Sequence, residues 1–136
     1  MMKLFKCMLL VLTLTATKAE AKIVVTEHMY MFGFSASFND SILYITDIQD
    51  VPGASYDTKT KFLMGREHYS SQLKEFLSEK KGQSDRICLV IFATTKKKAE
   101  KKYQNLKKKY AGKNGFIYGL QHLKSDEFKF EAVEVE

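Results

Sequence analysis

Apolar positions along this chain recur at distinct periods, and each period predicts an element. Over residues 29–38, Tyr30, Phe32, Phe34, Ala36 and Phe38 share one side, while Met31, Gly33, Ser35 and Ser37 share the other. A period of two with an aromatic side predicts a strand. Asn39 and Asp40 tolerate a left-handed backbone, so they mark a turn. A second extended run follows, with Ile42, Tyr44, Thr46 and Ile48 on one side and Leu43, Ile45 and Asp47 on the other. The two runs predict an antiparallel hairpin. Pro52-Gly53 opens a loop, and residues 58–65 read as a connector. From about Arg66 the period becomes helical, with Tyr69, Leu73, Phe76 and Leu77 forming one stripe and Gly82 placed to end it.

Residues 86–93 form a continuous apolar run, which predicts a strand buried on both faces. Thr94 or Thr95 can cap the next helix. Its stripe is Ala99, Tyr103, Leu106 and Tyr110, and Gly112 ends it. Residues 115–123 predict a further strand. Residues 127–135 alternate again, with Phe128, Phe130 and Ala132 opposite Lys129 and Glu131, as an edge strand would. The order is ββαβαββ. It implies an α+β fold: a two-layer sandwich in which a mixed sheet of about five strands carries two helices on one face.

Residues 1–21 stand apart from this pattern. Lys3 and Lys6 precede an apolar stretch over residues 8–15, and Ala19-Glu20-Ala21 offers small residues at the two cleavage positions. The arrangement predicts a secretory signal peptide cut before Lys22. The apolar stretch falls well short of the roughly 20 residues that span a bilayer. The expected product is one exported domain over 22–136, periplasmic or extracellular, with no transmembrane segment after cleavage. Cleavage removes Cys7 and leaves Cys88 alone, so no intramolecular disulfide supports the domain. It also removes three lysines and one glutamate, which lowers the net charge from +6 to +4.

Charge changes the picture most in the second helix. Lys96, Lys97, Lys98, Lys101, Lys102, Lys107, Lys108, Lys109 and Lys113 stand against the single acid Glu100, a local net of +8. The remainder of the mature chain is therefore net −4. Two readings compete: a solvated face, or a surface for polyanions, namely nucleic acid, anionic lipid headgroups or an acidic envelope polymer, with another protein as a further candidate partner. For the second reading the binding residues are Lys97, Lys98, Lys101, Lys102, Lys108 and Lys109. Lysine without arginine lacks bidentate phosphate recognition. With no exposed aromatics between the lysines, specific nucleic-acid recognition is not expected.

Other candidate chemistry is sparse. His28, His68 and His122 do not fall at metal-ligand spacing. Gly33, Gly53 and Gly65 are isolated, and no serine sits in a nucleophile elbow. No metal, cofactor or catalytic set is therefore assigned. Asp47 and Asp50, or the Arg66–His68 stretch, provide the alternative of a small periplasmic hydrolase or cation-dependent enzyme. That alternative requires a cavity gathering at least three of these side chains. The aromatic side of the first strand is either core or a ligand platform.

The signal peptide, the run over 29–41, Phe-Leu-Met-Gly-Arg at 62–66 and Lys-Lys-Ala-Glu-Lys-Lys-Tyr at 97–103 resemble small exported proteins of gut Bacteroidales. This resemblance implies export and no particular activity. A weaker likeness is to SPOR-type peptidoglycan-binding domains, through residues 90–93 and Ala99 to Leu106. The hairpin in the first half departs from that family, and no binding residue is carried over. Together these features lead to the expectation of a non-enzymatic binding or interaction domain of the bacterial envelope.

Overall fold

The computed structural model describes residues 22–110 and 119–134. The signal peptide expected over residues 1–21, Gly112, Lys113, the first part of the strand expected over 115–123, and Val135 lie outside the described residues. The elements are β1 (Ile23–Val25), β2 (Tyr30–Ala36), β3 (Ile42–Thr46), β4 (Gln49–Asp50), β5 (Ser55–Asp57), α1 (Arg66–Lys81), β6 (Ile87–Ala93), α2 (Lys96–Tyr110) and β7 (Gly119–Leu123). The fold is α+β, with two helices and a five-stranded mixed sheet. A small antiparallel pair, β1 with β5, stands beside it.

The hairpin forms as its alternation predicts. β2 pairs antiparallel with β3 along one edge and with β4 further along the same edge. Between these pairings β2 advances three residues, from Met31 to Phe34, while its partner covers four, from Gln49 back to Ile45. The extra residue is a bulge. It reverses which face each following side chain meets. Tyr44 thus enters the core beneath α1, whereas Ile48, expected on the same side, joins the opposite cluster with Phe32. At the bulge, the Thr46 hydroxyl accepts the Gly33 N–H at 2.8 Å and donates to the Asp47 carbonyl at 2.9 Å.

β2, and not the apolar run at 86–93, is the buried centre. β6 pairs with β2 over its full length and lies at the sheet edge, with Ile87 49% and Leu89 53% exposed. A continuous apolar run reports burial only if strands flank it on both edges. Here the hairpin takes one edge of β2 and β6 takes the other, so nothing among the described residues pairs beyond β6. β7 adds to β3 in parallel, at the far edge.

The helices cover opposite faces, not one. Phe32 meets Tyr103 of α2 edge-on at 5.1 Å, and Phe34 stacks on Tyr110 at 5.1 Å. The other face of β2 presents Met31 to a cluster that contains Tyr69, Leu73 and Leu77 of α1. Both sides of β2 are apolar, so both need a cover, and one helix lies over each. Phe32 and Phe34 on the aromatic side of β2 are therefore core, whereas Tyr30 is half-buried and Phe38, past the strand, is exposed.

Residues 127–134 keep the expected alternation but form no ladder. They run as an extended strap beside α1, with Phe128 and Phe130 buried. Side chains provide the missing ladder bonds. The Gln49 amide donates to the Phe128 carbonyl and accepts from the Phe130 N–H, both at 2.8 Å. The Gln72 amide does the same for the Glu131 carbonyl and N–H, both at 2.9 Å. The Tyr69 hydroxyl accepts the Val133 N–H at 3.0 Å.

Gly82 ends α1 with φ 66°, and its N–H bonds back to the Leu77 carbonyl, a left-handed position that suits glycine. Gly33 is required for a different reason. A Cβ there would stand 2.6 Å from Leu73 Cδ2 and 3.0 Å from Phe130 Cζ. Gly33→Ala is therefore expected to destabilise the fold by about 1–3 kcal/mol, as overpacking does. Gly119→Ala, with no heavy atom within 4 Å of the new Cβ, serves as the control and should change little. Urea denaturation of both variants measures the difference, and equal midpoints would contradict the crowding argument.

Candidate binding surface

α2 begins where Thr95 Oγ1 accepts the Lys98 N–H at 3.3 Å, and Ala99 and Tyr103 anchor it to the sheet. Three lysines, Lys96 to Lys98, occupy its first turn and no acid does. That placement opposes the helix dipole, while Lys107 to Lys109 in the last turn favour it. Burial of Ala99 and the packing of Tyr103 on Phe32 therefore have to hold the N-terminal half of the helix.

The six predicted lysines divide into two rows. Helical geometry places Lys97, Lys101 and Lys108 together on the outer face, roughly 6 and 10 Å apart along the axis. Lys98, Lys102 and Lys109 run along the flank beside β6. Lys102 Nζ donates to the Phe92 carbonyl at 2.8 Å and sits 5.6 Å from the Phe92 ring centre. Lys109 Nζ lies 5.6 Å from the Tyr110 ring centre. No α2 lysine forms an ion pair among the described residues.

Acidic charge collects beyond the other face of the sheet. A cavity of about 510 Å³ between α1 and the strap is lined by Glu75, Glu79, Asp126, Glu127 and Glu131, with Lys80 and Lys129 among them and Phe76 and Phe128 as apolar surface. Glu127 is held below its ordinary carboxylate value, chiefly by the Lys124 N–H and then by the Lys81 ammonium. Among the described residues no group of carboxylates, histidines and cysteine has the geometry to hold a metal ion.

Asp47 and Asp50, read as a possible carboxylate pair, take separate partners. Asp50 bonds His28 Nδ1 at 2.7 Å, and His28 stacks on Tyr30. Asp47 Oδ1 bonds His122 Nε2 on β7, while Oδ2 accepts the Ser125 N–H at 2.9 Å and the Ser125 hydroxyl at 3.0 Å. In this Ser–Asp–His order the hydroxyl faces the carboxylate instead of the imidazole, so it is not the arrangement in which a histidine takes the proton of a serine nucleophile. Arg66 lies over the Phe62 ring, 5.0 Å away, and forms an ion pair with neither aspartate. The three side chains required by the enzyme alternative are thus divided among separate contacts.

Sequence reading missed three features of this region. Arg86 is buried, with its side chain 1% exposed. It donates to Ser35, to both oxygens of Asp40 and to the Ile42 carbonyl, and it lies over the Tyr44 ring. The Asp47–His122 pair spans 75 positions and left no local signal. Lys61, at the end of the β6 flank, lines a cavity with Lys98 and Lys102. Burial raises the Cys88 thiol above its ordinary value, against the Ser35 hydroxyl and the Lys74 and Arg86 charges, so it stays protonated near neutrality.

No protein-family model, curated protein or solved structure matches this chain. Among the described residues no helix is long and apolar enough to cross a membrane.

Burial acts to raise the Asp47 carboxyl, but the Ser125 N–H and hydroxyl and His122 outweigh it and hold the group below its ordinary value. A depressed carboxyl adds stability that is complete above the unfolded value, about 3.9, and disappears as pH falls through the folded one. The wild-type advantage over Asp47→Asn should therefore be level near pH 5 and shrink below about pH 4. Urea midpoints measured over that range test this. An advantage that grows on acidification would exclude the assigned hydrogen bonds.

Proposed function

We propose that this protein is an exported, non-enzymatic binding domain of the bacterial envelope whose α2 lysines meet a polyanionic partner. One observation carries the reading: α2 bears eight lysines, and none is neutralised by an ion pair among the described residues. A helix face that served only for solubility would ordinarily intersperse both signs. Here acidic side chains gather at the α1–strap cavity on the other side of the sheet. The unpaired ammonium groups favour a partner with closely spaced negative charge, whether envelope polymer, anionic lipid headgroups or an acidic protein segment. Lysine supplies charge without a fixed fork, which suits a repetitive anionic surface better than a single oriented phosphate. Export follows from the basic, apolar and small-residue order of residues 1–21.

Co-sedimentation with purified cell-wall sacculi and with phosphatidylglycerol vesicles tests the reading. Retention should be strong at low salt and fall as salt rises. Each lysine near an anionic surface contributes about 1 kcal/mol, so Lys97→Gln, Lys101→Gln and Lys108→Gln together should weaken binding roughly a hundredfold. Absence of retention on either support at low salt would exclude the polymer and lipid versions. N-terminal sequencing of protein recovered from the envelope should begin at Lys22. A full-length chain confined to the cytoplasm would overturn the export assignment.

A further inference from the structure

The edge of the sheet nearest the lysines has its own chemistry. β6 pairs with β2 through Ile87 to Ala93, and its other edge carries no strand among the described residues. Two contacts show which backbone groups face outward. The Gly33 N–H turns away from β6 to reach Thr46, and the Phe92 carbonyl turns away from β2 to reach Lys102. Val90 is the partner of Gly33 and Phe92 the partner of Met31. With the period of two of an antiparallel pair, the N–H and C=O groups of Cys88, Val90 and Phe92 point out of the sheet.

The side chains along this edge alternate as well. Ile87 and Leu89 are half exposed on the α2 side, where the helix stops short of covering them. Two cavities continue along the same flank. One, of about 340 Å³, is lined by Lys61, Lys98 and Lys102 with Tyr56 and Phe92. The other, of about 290 Å³, is lined by Lys102 and Lys109 with Ile91, Asn105 and Leu106. No carboxylate lines either cavity. On the opposite face, Lys74 of α1 is near enough for its charge to act on Cys88.

We propose that the outer edge of β6 is a strand-addition site for an extended acidic segment of another protein, with glutamates or aspartates alternating with apolar residues. The outward N–H and C=O groups of Cys88 and Val90, with the Phe92 N–H, would supply ladder bonds, Ile87 and Leu89 the apolar contact, and the lysines the selection for acid. A second copy of this chain is disfavoured as the occupant. Pairing β6 with β6 would bring two uncompensated lysine flanks together, and like charges across an interface repel. Glycan and lipid cannot form a strand ladder. The proposal takes the sign of the partner's charge from the polyanion reading above and adds the backbone recognition.

The test uses the chain from Lys22 and a capped peptide of alternating Glu and Val as long as β6, with polyglutamate of equal charge as the control. Amide hydrogen exchange is followed residue by residue. At saturating Glu-Val peptide, exchange at Cys88, Val90 and Phe92 should slow at least tenfold, while Ile87, Leu89 and Ile91, already turned to β2, should not change. Leu89→Glu, a change at a half-exposed position, should weaken the Glu-Val peptide at least tenfold and leave thermal unfolding unchanged. Equal affinity for polyglutamate with no slowed β6 amides would overturn the proposal and leave the polyanion reading standing. Binding of neither anionic probe would remove both. Slowed β6 amides in concentrated protein without peptide would overturn it in favour of self-pairing.

Discussion

The centre of the sheet works because one position has no side chain. At Gly33 the α1 residue Leu73 and the strap residue Phe130 close onto the backbone from the same side. The bulge opposite turns the Gly33 N–H toward the Thr46 hydroxyl instead of a ladder carbonyl. Close packing and a satisfied buried amide are needed together, since an orphaned N–H there would cost more than the packing gains. From this point the rest follows. Leu73 sets the depth of α1, Phe130 sets the path of the strap, and the bulge turns Gln49 inward to hold that strap.

Buried polar groups organise the margins of the same core. Arg86 enters from the β6 end and is fully engaged by Asp40, Ser35 and the Ile42 carbonyl, which ties the β2–β3 turn to the start of β6. Among the described residues no buried side-chain nitrogen or oxygen lacks a partner. A charge so placed contributes little as a pair but is costly to leave alone, so its geometry specifies the turn more than it stabilises the fold. The sheet also sorts surface charge, with lysines beyond one face and most of the cavity-lining carboxylates beyond the other.

Much of the element order was legible because periodicity is local. The β2–β3 hairpin, both helical stripes and the Gly82 terminus all arise from neighbours in the chain. What escaped the sequence was relational. The run at 86–93 has the composition of a central strand, but its place depends on which edge of β2 the hairpin leaves open. The placement of the helices on opposite faces depends on β2 being apolar on both sides, and an aromatic row next to a row of Met, Gly and Ser disguises that. The strap shows the right alternation without a strand, because Gln49 and Gln72 do what a neighbouring backbone would do. At the candidate surface the lysines were plain, whereas the division into an outer row and a β6 flank required the position of the sheet edge. Pairs such as Asp47 with His122 couple distant positions and leave no trace in spacing.

The amide clamps also determine when the fold can be finished. Gln49 reaches Phe130 across 81 positions, and Gln72 reaches Glu131 across 59. A chain made from its N-terminus has both helices and the central hairpin before either clamp can close. Until residue 130 has emerged, Leu73 and Met31 lack their cover, and the sheet remains open on the α1 side. Contacts of such long range form late because the loop between them must first be closed. Folding of this domain is thus tied to the emergence of Phe130 and Glu131, so the α1 side of the core is the last to close.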